Sequence, residues 1–158
     1  MKTLTLLRHA KTERDSPSGR DFDRSLDERG CGDAKRMGQE IRKLGLAFDL
    51  VLASPARRAV ETVEQVGGLS PEYEDRIYDA STGQLLEIVR SVDKRVERLM
   101  LVGHNPGFAL LAAKLTDNQV GDVPTGTLVA IELPIEEWGD VGDKGGRLVR
   151  FIKPNALD

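Results

Sequence analysis

The stretch LTLLRHAKTERD, residues 4–15, contains the strand from which the fold is built. Leu4 to Leu7 form an apolar run bounded by polar residues, which is typical of a short buried strand. The run ends at Arg8 and His9, and the sequence then becomes polar at once. Because the chain has only two histidines, an imidazole placed beside a guanidinium at a strand end is a candidate for function.

Strands and helices alternate along the rest of the chain. The runs DLVLAS (49–54) and LMLVG (99–103) are almost continuously apolar, as expected of strands that are covered on both faces. Two further strands are predicted over residues 127–134 and 147–154. This alternation predicts a three-layer α/β/α fold with a mostly parallel central sheet, in a single domain that spans residues 1–158.

The segments between the strands carry helix signals. Residues 10–27 are polar and are predicted to form a long loop, a kind of segment that often carries function. A helix capped by Asp27 is predicted to run to Leu44 and to end at Gly45, with Ala34, Met37, Ile41 and Leu44 on its apolar face. A second helix is predicted to begin after Pro55 and to end at Gly67. Two more helices are predicted over residues 82–98 and 108–115.

Composition excludes several classes of protein. The 23 basic and 26 acidic residues are mixed along the chain and give a net charge of −3, so no basic face for nucleic acid is indicated. No apolar run approaches the about 20 residues that a membrane-spanning helix needs, and the amino terminus lacks a secretory signal pattern. Cys31 is the only cysteine, so no disulfide framework is expected. We therefore expect a cytoplasmic monomer or weak dimer without nucleic-acid or membrane partners.

Three strand ends carry groups that are suited to binding an anion. Arg8 and His9 end the first strand, the segment SPARRAVET (54–62) follows the second, and His104 follows the run over 99–103. In open α/β sheets, ligands bind outside the carboxyl ends of the strands. If these strands are adjacent, two imidazoles and several guanidiniums meet there. Arginine binds phosphate oxygens through a planar fork, so the sequence predicts a site for a phosphoryl group.

Other interpretations of the same residues are weaker. A metal site would need further ligands at short spacing, and neither H-x-x-x-H nor C-x-x-C is present. Neighbouring arginines would also repel a cation, so no metal and no cofactor are expected. Taken singly, His104 could be a turn residue in GHNPG, and Arg57 and Arg58 could both be solvated on a helix face.

Three motifs, in this order, resemble those of the histidine phosphatase superfamily, which includes the cofactor-dependent phosphoglycerate mutases. LLRHAKT (6–12) resembles its R-H-[GA]-x-[ST] signature, SPARRAVET resembles its S-x-x-x-R-A-x-x-T motif, and LVGHNPG (101–107) resembles its second-histidine motif. The second motif selects Arg58 rather than Arg57. The segments DRSLDERG (23–30) and PTGTLVAIEL (124–133), together with the short chain, are similar to the SixA-type phosphohistidine phosphatases.

The resemblance implies a phosphoglycerate mutase-like fold and a metal-independent phosphatase. His9 would attack phosphorus and form a covalent phosphohistidine intermediate. Arg8, Arg58 and His104 would bind the phosphoryl oxygens and stabilise charge in the transition state. Lys11 is close enough to His9 in sequence to help attract the phosphate, and a surface role is the alternative.

The implied substrate is phosphohistidine in a protein. Alternatives are a small-molecule phosphomonoesterase of the same superfamily and a module that binds phosphohistidine or phosphate without turnover. A mutase is disfavoured because the chain is short and leaves little room for the additional segments that would retain a phosphorylated intermediate.

The general acid is the point at which the sequence departs from the superfamily. Many members carry an acidic residue after the third strand that protonates an alkoxide leaving group. The segment over 72–83 offers Glu74, Asp75 and Asp79, of which Asp79 is the candidate, although none lies in a recognisable motif. Imidazole leaves more readily than an alkoxide, so a phosphoramidate substrate fits this departure. The loop over 10–27 is expected to frame the mouth of the site with Arg14, Asp15, Arg20, Asp21, Asp23 and Arg24.

Overall fold

The first apolar run forms β1 (Lys2–Arg8), an inner strand of a six-stranded sheet in the computed structural model, which describes residues 1–157. β1 pairs in parallel with β4 (Arg98–Gly103) and antiparallel with β5 (Leu128–Leu133). Leu6 packs into the core on one face of the sheet, and Leu7 packs into the core on the other face. The run is continuously apolar because both faces of the strand are covered.

The sheet has the order β3-β2-β4-β1-β5-β6. β5 runs against its neighbours β1 and β6, and the other adjacent pairs are parallel. This confirms the predicted α/β fold with a mostly parallel sheet. The remaining elements are α1 (Glu28–Lys43), β2 (Leu50–Ala53), α2 (Arg57–Val66), β3 (Pro71–Tyr73), α3 (Thr82–Arg90), α4 (Gly107–Leu115) and β6 (Arg147–Ile152), with 3₁₀ turns at Asp21–Asp23, Asp75–Ile77, Trp138–Asp140 and Pro154–Ala156.

Two helices cover each face of the sheet, which gives the predicted three layers. Met37 of α1 and Val63 of α2 share one core with the strands. Leu85 of α3 and Leu111 of α4 share the core on the opposite face. Over residues 1–157, no helix combines the length and the hydropathy needed to cross a membrane.

The predicted helix over 82–98 is wrong in its length, because α3 ends at Arg90. The Ser91 hydroxyl donates to the carbonyl three residues earlier, at 2.8 Å. The Asp93 carboxylate accepts from the backbone N–H two residues later, also at 2.8 Å. These side chains satisfy backbone groups in a turn, which competes with continued helix. The turn lets the chain reverse and enter β4.

Two smaller features also differ from the expectation. Leu44 was predicted on the apolar face of α1, but it is exposed because the helix ends at Lys43 and the chain turns at Gly45, whose φ is +66°. The edge strand β3 was not predicted, since its sequence PEY carries no apolar pattern. The Asp27 cap is confirmed, because its carboxylate accepts from the Gly30 N–H at 2.7 Å.

α1 and α2 approach each other most closely at Gly38. A Cβ atom at this position would lie 2.0 Å from the carbonyl oxygen of Val66, which is a backbone atom at the end of α2. Gly32, on the same helix, is different, because its Cβ would meet only the flexible side chain of Arg36, at 3.3 Å. The two glycines therefore make a matched pair.

We expect Gly38→Ala to lower the free energy of unfolding by about 1–3 kcal/mol or more, because overpacking forces the two helices apart. Gly32→Ala should be neutral or stabilising by up to about 1 kcal/mol, since alanine has the higher helix propensity. Urea unfolding of both variants measures the difference. Equal effects of the two substitutions would contradict the close contact between the helices.

Candidate active site

The carboxyl ends of β2, β4 and β1 lie side by side, as the sequence predicted for a shared site. Arg8 is in register with Gly103 across the β1–β4 pair, so the residues after both strands leave the sheet at the same level. His9 and His104 consequently face each other, with ring centroids 5.3 Å apart. Ser54 follows the neighbouring strand β2, and its Oγ lies 2.7 Å from Nε2 of His104.

A cavity of about 440 Å³, which we call the catalytic cavity, opens at these strand ends. It contains all four residues of the predicted motifs and the candidate acid Asp79. Lys11 is not part of its wall. The lining residues are Arg8, His9, Thr12, Asp21, Arg24, Arg58, Tyr78, Asp79, His104, Asn105 and Thr125.

His9 is held in one tautomer by the backbone. Its Nδ1 lies 2.8 Å from the carbonyl oxygen of Ala10. Because a carbonyl oxygen can only accept, Nδ1 carries the proton and Nε2 keeps its lone pair. Burial lowers the pKa of His9 to about 4, although the hydrogen bond to Ala10 acts in the opposite direction. The neighbouring positive charges of Arg58 and Arg8 lower this pKa further. His9 is therefore a neutral imidazole with a free Nε2 at neutral pH.

His104 is the second neutral imidazole. Burial lowers its pKa to about 3, and the proximity of His9 and Arg58 adds to this effect. The Tyr78 ring packs edge-on against it, with centroids 5.6 Å apart. Its Nδ1 is buried and has no hydrogen-bond partner. His104 is thus fixed in place by its neighbours, while one ring nitrogen has no partner among residues 1–157.

The two motif arginines are anchored at their outer ends. Arg8 donates from Nη1 to the Val123 carbonyl at 2.9 Å. Arg58 donates from Nη1 to the Asp21 carbonyl at 2.8 Å and from Nη2 to the Asp21 carboxylate at 3.0 Å. In both arginines Nε is buried and has no hydrogen-bond partner within the part of the chain that the structure describes.

These two Nε atoms and Nδ1 of His104 are three of the four buried, unpartnered side-chain N and O atoms in residues 1–157. Buried polar groups are normally paired. All three belong to residues that line the same cavity, so the arrangement suits a ligand with several acceptor oxygens, such as a phosphoryl group.

Asp21 is a residue of the site that sequence reasoning placed only within a loop of mixed charges. Its carboxylate accepts from the Tyr78 hydroxyl at 2.8 Å and from Arg24 Nε at 3.0 Å, in addition to Arg58. Burial acts to raise the pKa of Asp21, but the hydrogen bonds from Tyr78 and Arg58 outweigh it and lower this pKa to about 2. Asp21 is therefore ionised at neutral pH and orients Arg58 and Tyr78 rather than supplying a proton.

Tyr78 was missed altogether in the sequence. It contacts Phe22 edge to face, with centroids 5.0 Å apart, as well as His104. The rarity of aromatic residues, 4% of the chain, is the one signal that could have drawn attention to it. The contact between Phe22 and Tyr78 joins positions 56 residues apart, and no local sequence pattern indicates it.

The two additional candidates from the sequence have different outcomes in the structure. Asp79 lines the catalytic cavity and has a positive φ of 56°. Lys11 is not among the residues that line the cavity, so its part in attracting the phosphate stays a prediction. Its carbonyl accepts from the Asp27 N–H at 3.0 Å, and its ammonium lies 3.9 Å from the Asp27 carboxylate. Its side chain is thereby directed towards the start of α1.

The two depressed histidine pKa values give a direct prediction. In the free protein, neither histidine should titrate between pH 8 and pH 5, and His9 should carry its proton on Nδ1. Because an unfolded histidine titrates near pH 6.5, the unfolded chain binds more protons between pH 4 and pH 6.5. The free energy of unfolding should therefore fall as the pH is lowered through this range.

NMR of ¹⁵N-histidine-labelled protein measures the titration and the tautomer of each ring, because the chain contains only two histidines. Urea unfolding over the same pH range measures the change in the free energy of unfolding. His104→Asn assigns the two histidine signals, and the urea-unfolded chain is the reference for normal titration. A folded-state signal that titrates near pH 6.5 would contradict the burial of that imidazole.

The fold, together with two neutral histidines and two anchored arginines at the strand ends, fits a class of enzyme that acts on phosphoryl groups. A model of the histidine phosphatase superfamily (branch 1) matches residues 4–107. The chain belongs to this superfamily, and it is a phosphatase. In residues 1–157, no group of three or more His, Cys, Asp or Glu side chains is arranged to hold a metal ion.

Comparisons with individual proteins agree with this placement. An uncharacterized protein of Mycobacterium tuberculosis is 32% identical over 94% of this chain and 99% of its own length. A structure assigned as the phosphohistidine phosphatase SixA of Agrobacterium tumefaciens is 27% identical, with a TM-score of 0.83 over 97% of this chain and 98% of that one. A SixA structure from Nakamurella multipartitia, assigned in the same way, is 25% identical, with a TM-score of 0.84 over 97% and 96%. These structures confirm the similarity to the SixA type and the phosphoglycerate mutase-like fold.

Proposed function

We propose that this phosphatase removes the phosphoryl group from phosphohistidine in proteins, without a metal, by transferring it to Nε2 of His9. The observation that carries the proposal is the hydrogen bond from His9 Nδ1 to the Ala10 carbonyl. It holds the ring in the tautomer whose Nε2 lone pair is available for attack, and burial keeps the ring unprotonated. A nucleophile of this kind needs no additional base to activate it.

The reaction runs in two displacements. In the first, Nε2 of His9 forms a bond to phosphorus while the bond from phosphorus to the substrate imidazole breaks. Arg8, Arg58 and His104 hold the phosphoryl oxygens as charge builds on them. In the second, water attacks phosphorus, the bond to His9 breaks, and inorganic phosphate leaves with the original imidazole restored. The same groups serve both steps, because the same phosphoryl group is transferred each time.

One of the two carboxylates of the catalytic cavity, Asp21, is not available as an acid, which favours a leaving group that requires little protonation. Asp21 is ionised and already accepts hydrogen bonds from Arg58, Tyr78 and Arg24, so it has no proton to give. Asp79 is the other carboxylate in the lining. The imidazole of phosphohistidine leaves as a neutral molecule when its distal nitrogen is protonated, so it does not require a protein acid. The SixA names of the similar structures also support this substrate.

The main alternative, a small-molecule phosphomonoesterase, is favoured by one observation, which is that Asp79 lines the cavity. In that case Asp79 would protonate an alkoxide, and its loss would cost about 10²–10⁴-fold in rate. A module that binds phosphate or phosphohistidine without turnover is the other alternative. It would bind the ligand but release no phosphate.

The experiment compares a histidine-phosphorylated peptide with a phosphoserine peptide of the same sequence, in buffer with EDTA. We expect the phosphohistidine peptide to react at least about 100-fold faster in kcat/KM, a difference as large as acid catalysis usually supplies. Asp79→Asn should change phosphohistidine hydrolysis by less than about threefold for the same reason. Asparagine is well tolerated at a positive φ, so this variant should fold.

Asp75→Asn is the matched control, because Asp75 lies in the same segment but outside the cavity lining. Faster hydrolysis of the phosphoserine peptide, abolished by Asp79→Asn but not by Asp75→Asn, would replace the proposal with the phosphomonoesterase. Failure to release phosphate from either peptide would favour the binding module.

A further inference from the structure

A second cavity of about 240 Å³ adjoins the catalytic cavity. Thr125 lines both cavities, so the two are separated only by the loop that carries it. The cations of the second cavity are Lys11, Arg29 and Lys153, and its carboxylate is Asp33. We call it the basic cavity. None of its charged groups has a part in the chemistry proposed for His9.

The cations of the basic cavity are only loosely neutralised. The Lys11 ammonium is 3.9 Å from the Asp27 carboxylate, and Arg29 Nε is 3.8 Å from that of Asp33. The side chains of Lys11 and Arg29 are 59% and 61% exposed. Lys153 is also exposed and has no carboxylate within 4.0 Å among residues 1–157. Exposed pairs at such distances contribute little, so these cations remain available to a partner.

The linings of the two cavities carry an excess of positive charge, although the chain as a whole has a net charge of −3. Together the two linings contain six lysines and arginines and three aspartates. Such an excess of one sign attracts a partner of the opposite sign and orients it during encounter. This face therefore favours a substrate whose phosphohistidine is surrounded by acidic groups.

The loop between the cavities is fixed to the end of β1, where Arg8 and His9 lie. The Gly126 N–H lies 3.1 Å from the Arg8 carbonyl and 2.9 Å from that of His9. The Val123 carbonyl accepts from the Arg8 side chain at 2.9 Å. Thr125 lies between these two anchors. The wall that the two cavities share is consequently fixed relative to the nucleophile.

We propose that the basic cavity docks acidic side chains that lie near the phosphohistidine of the substrate protein. This inference rests on the proposed function and names a property of its substrate. The exposed cations on long, flexible side chains are typical of the rim of a protein interface. The catalytic cavity differs, because its arginines are anchored and carry buried donors.

The test uses two peptides, each phosphorylated on a single histidine, that differ only in flanking residues: aspartate and glutamate in one, asparagine and glutamine in the other. N-phosphoimidazole serves as a substrate without flanks. The enzyme variants are the double variant Lys153→Glu with Arg29→Gln, and Lys43→Glu as the matched control. Lys43 is an exposed lysine at the last position of α1, and α1 ends at the edge of the sheet opposite to the site.

For the unmodified enzyme at low salt, we expect kcat/KM for the acidic peptide to exceed that for the amide peptide by at least about fivefold, and added salt should reduce the ratio. The double variant should abolish the preference while kcat/KM for N-phosphoimidazole changes by less than about twofold, because exposed charges act mainly on association. Lys43→Glu should keep the preference. An acidic preference that is absent, or that survives in the double variant, would overturn docking at the basic cavity.

Failure of the proposed function gives a different result. In that case N-phosphoimidazole and both phosphohistidine peptides would be poor substrates, and the same pair of peptides carrying phosphoserine would be hydrolysed instead. The ratio between the two phosphoserine peptides, measured for the unmodified enzyme and the double variant, would then decide docking by the same criterion.

Discussion

His9→Ala is expected to lower kcat by at least about 10⁴-fold, as loss of a covalent nucleophile does in other enzymes. The reason is that Nε2 of His9 is the atom to which we assign the bond to phosphorus, and no other group in the cavity can replace it. His104 is close, with its ring centroid 5.3 Å away, but its Nε2 is engaged with the Ser54 hydroxyl and its Nδ1 is buried. Steady-state phosphate release from the phosphohistidine peptide measures the loss.

Binding of inorganic phosphate is the control for this variant, because the arginine donors do not depend on the His9 ring. Arg8 is anchored by Val123, and Arg58 by Asp21. His9→Ala should therefore still bind phosphate and should unfold cooperatively in urea. A variant that is folded and retains a kcat within tenfold of the original would exclude His9 as the nucleophile.

Arg58→Ala is expected to lower kcat/KM by about 10²–10³-fold, the usual cost of removing one donor that stabilises a transition-state oxyanion. Arg58→Lys should restore little of the lost kcat/KM. The guanidinium binds Asp21 through two nitrogens and still carries a third, buried nitrogen, and a lysine ammonium cannot copy this fork.

The neighbouring Arg57 provides the matched control. It begins the same helix, but its side chain is 62% exposed and pairs only with Glu61, at 3.1 Å. Arg57→Ala should change kcat/KM by less than about twofold, since surface pairs of this kind contribute little. Equal losses in the Arg57 and Arg58 variants would contradict the assignment of Arg58 to the phosphoryl group.

The parts of the fold that could be predicted are those with a local signal. Apolar runs mark β1, β2 and β4 because these strands are covered on both faces, and a capping aspartate marks the start of α1. The strand ends then locate Arg8, His9, Arg58 and His104 at one edge of the sheet, once the strands are taken as neighbours. The end of α3 escaped prediction, because Ser91 and Asp93 compete for backbone groups in a region whose apolar spacing still favours helix.

Asp21 and Tyr78, which also line the catalytic cavity, were much less predictable than the residues at the strand ends. Asp21 and Tyr78 meet at 2.8 Å although 57 positions separate them, and only the packing of the loop on α2 brings them together. Lys11 lies outside the lining of the catalytic cavity for the converse reason. It is adjacent to the catalytic motif in sequence, but its backbone is tied to Asp27 and its side chain follows. Within a strand, proximity in sequence indicates which side chains share a site. Where the chain enters a loop, it no longer does.

The central claim is that the phosphoryl group passes through Nε2 of His9. Rapid mixing of the enzyme with a histidine-phosphorylated peptide, quenching in alkali and digestion would isolate the peptide that contains residue 9. Mass spectrometry then locates the phosphoryl group, and ³¹P NMR distinguishes the two ring nitrogens. We predict a phosphoryl group on Nε2 of His9 that forms before free phosphate appears and is absent from His9→Ala. Phosphate release at full rate without label on His9, or a label on Nδ1, would contradict this account.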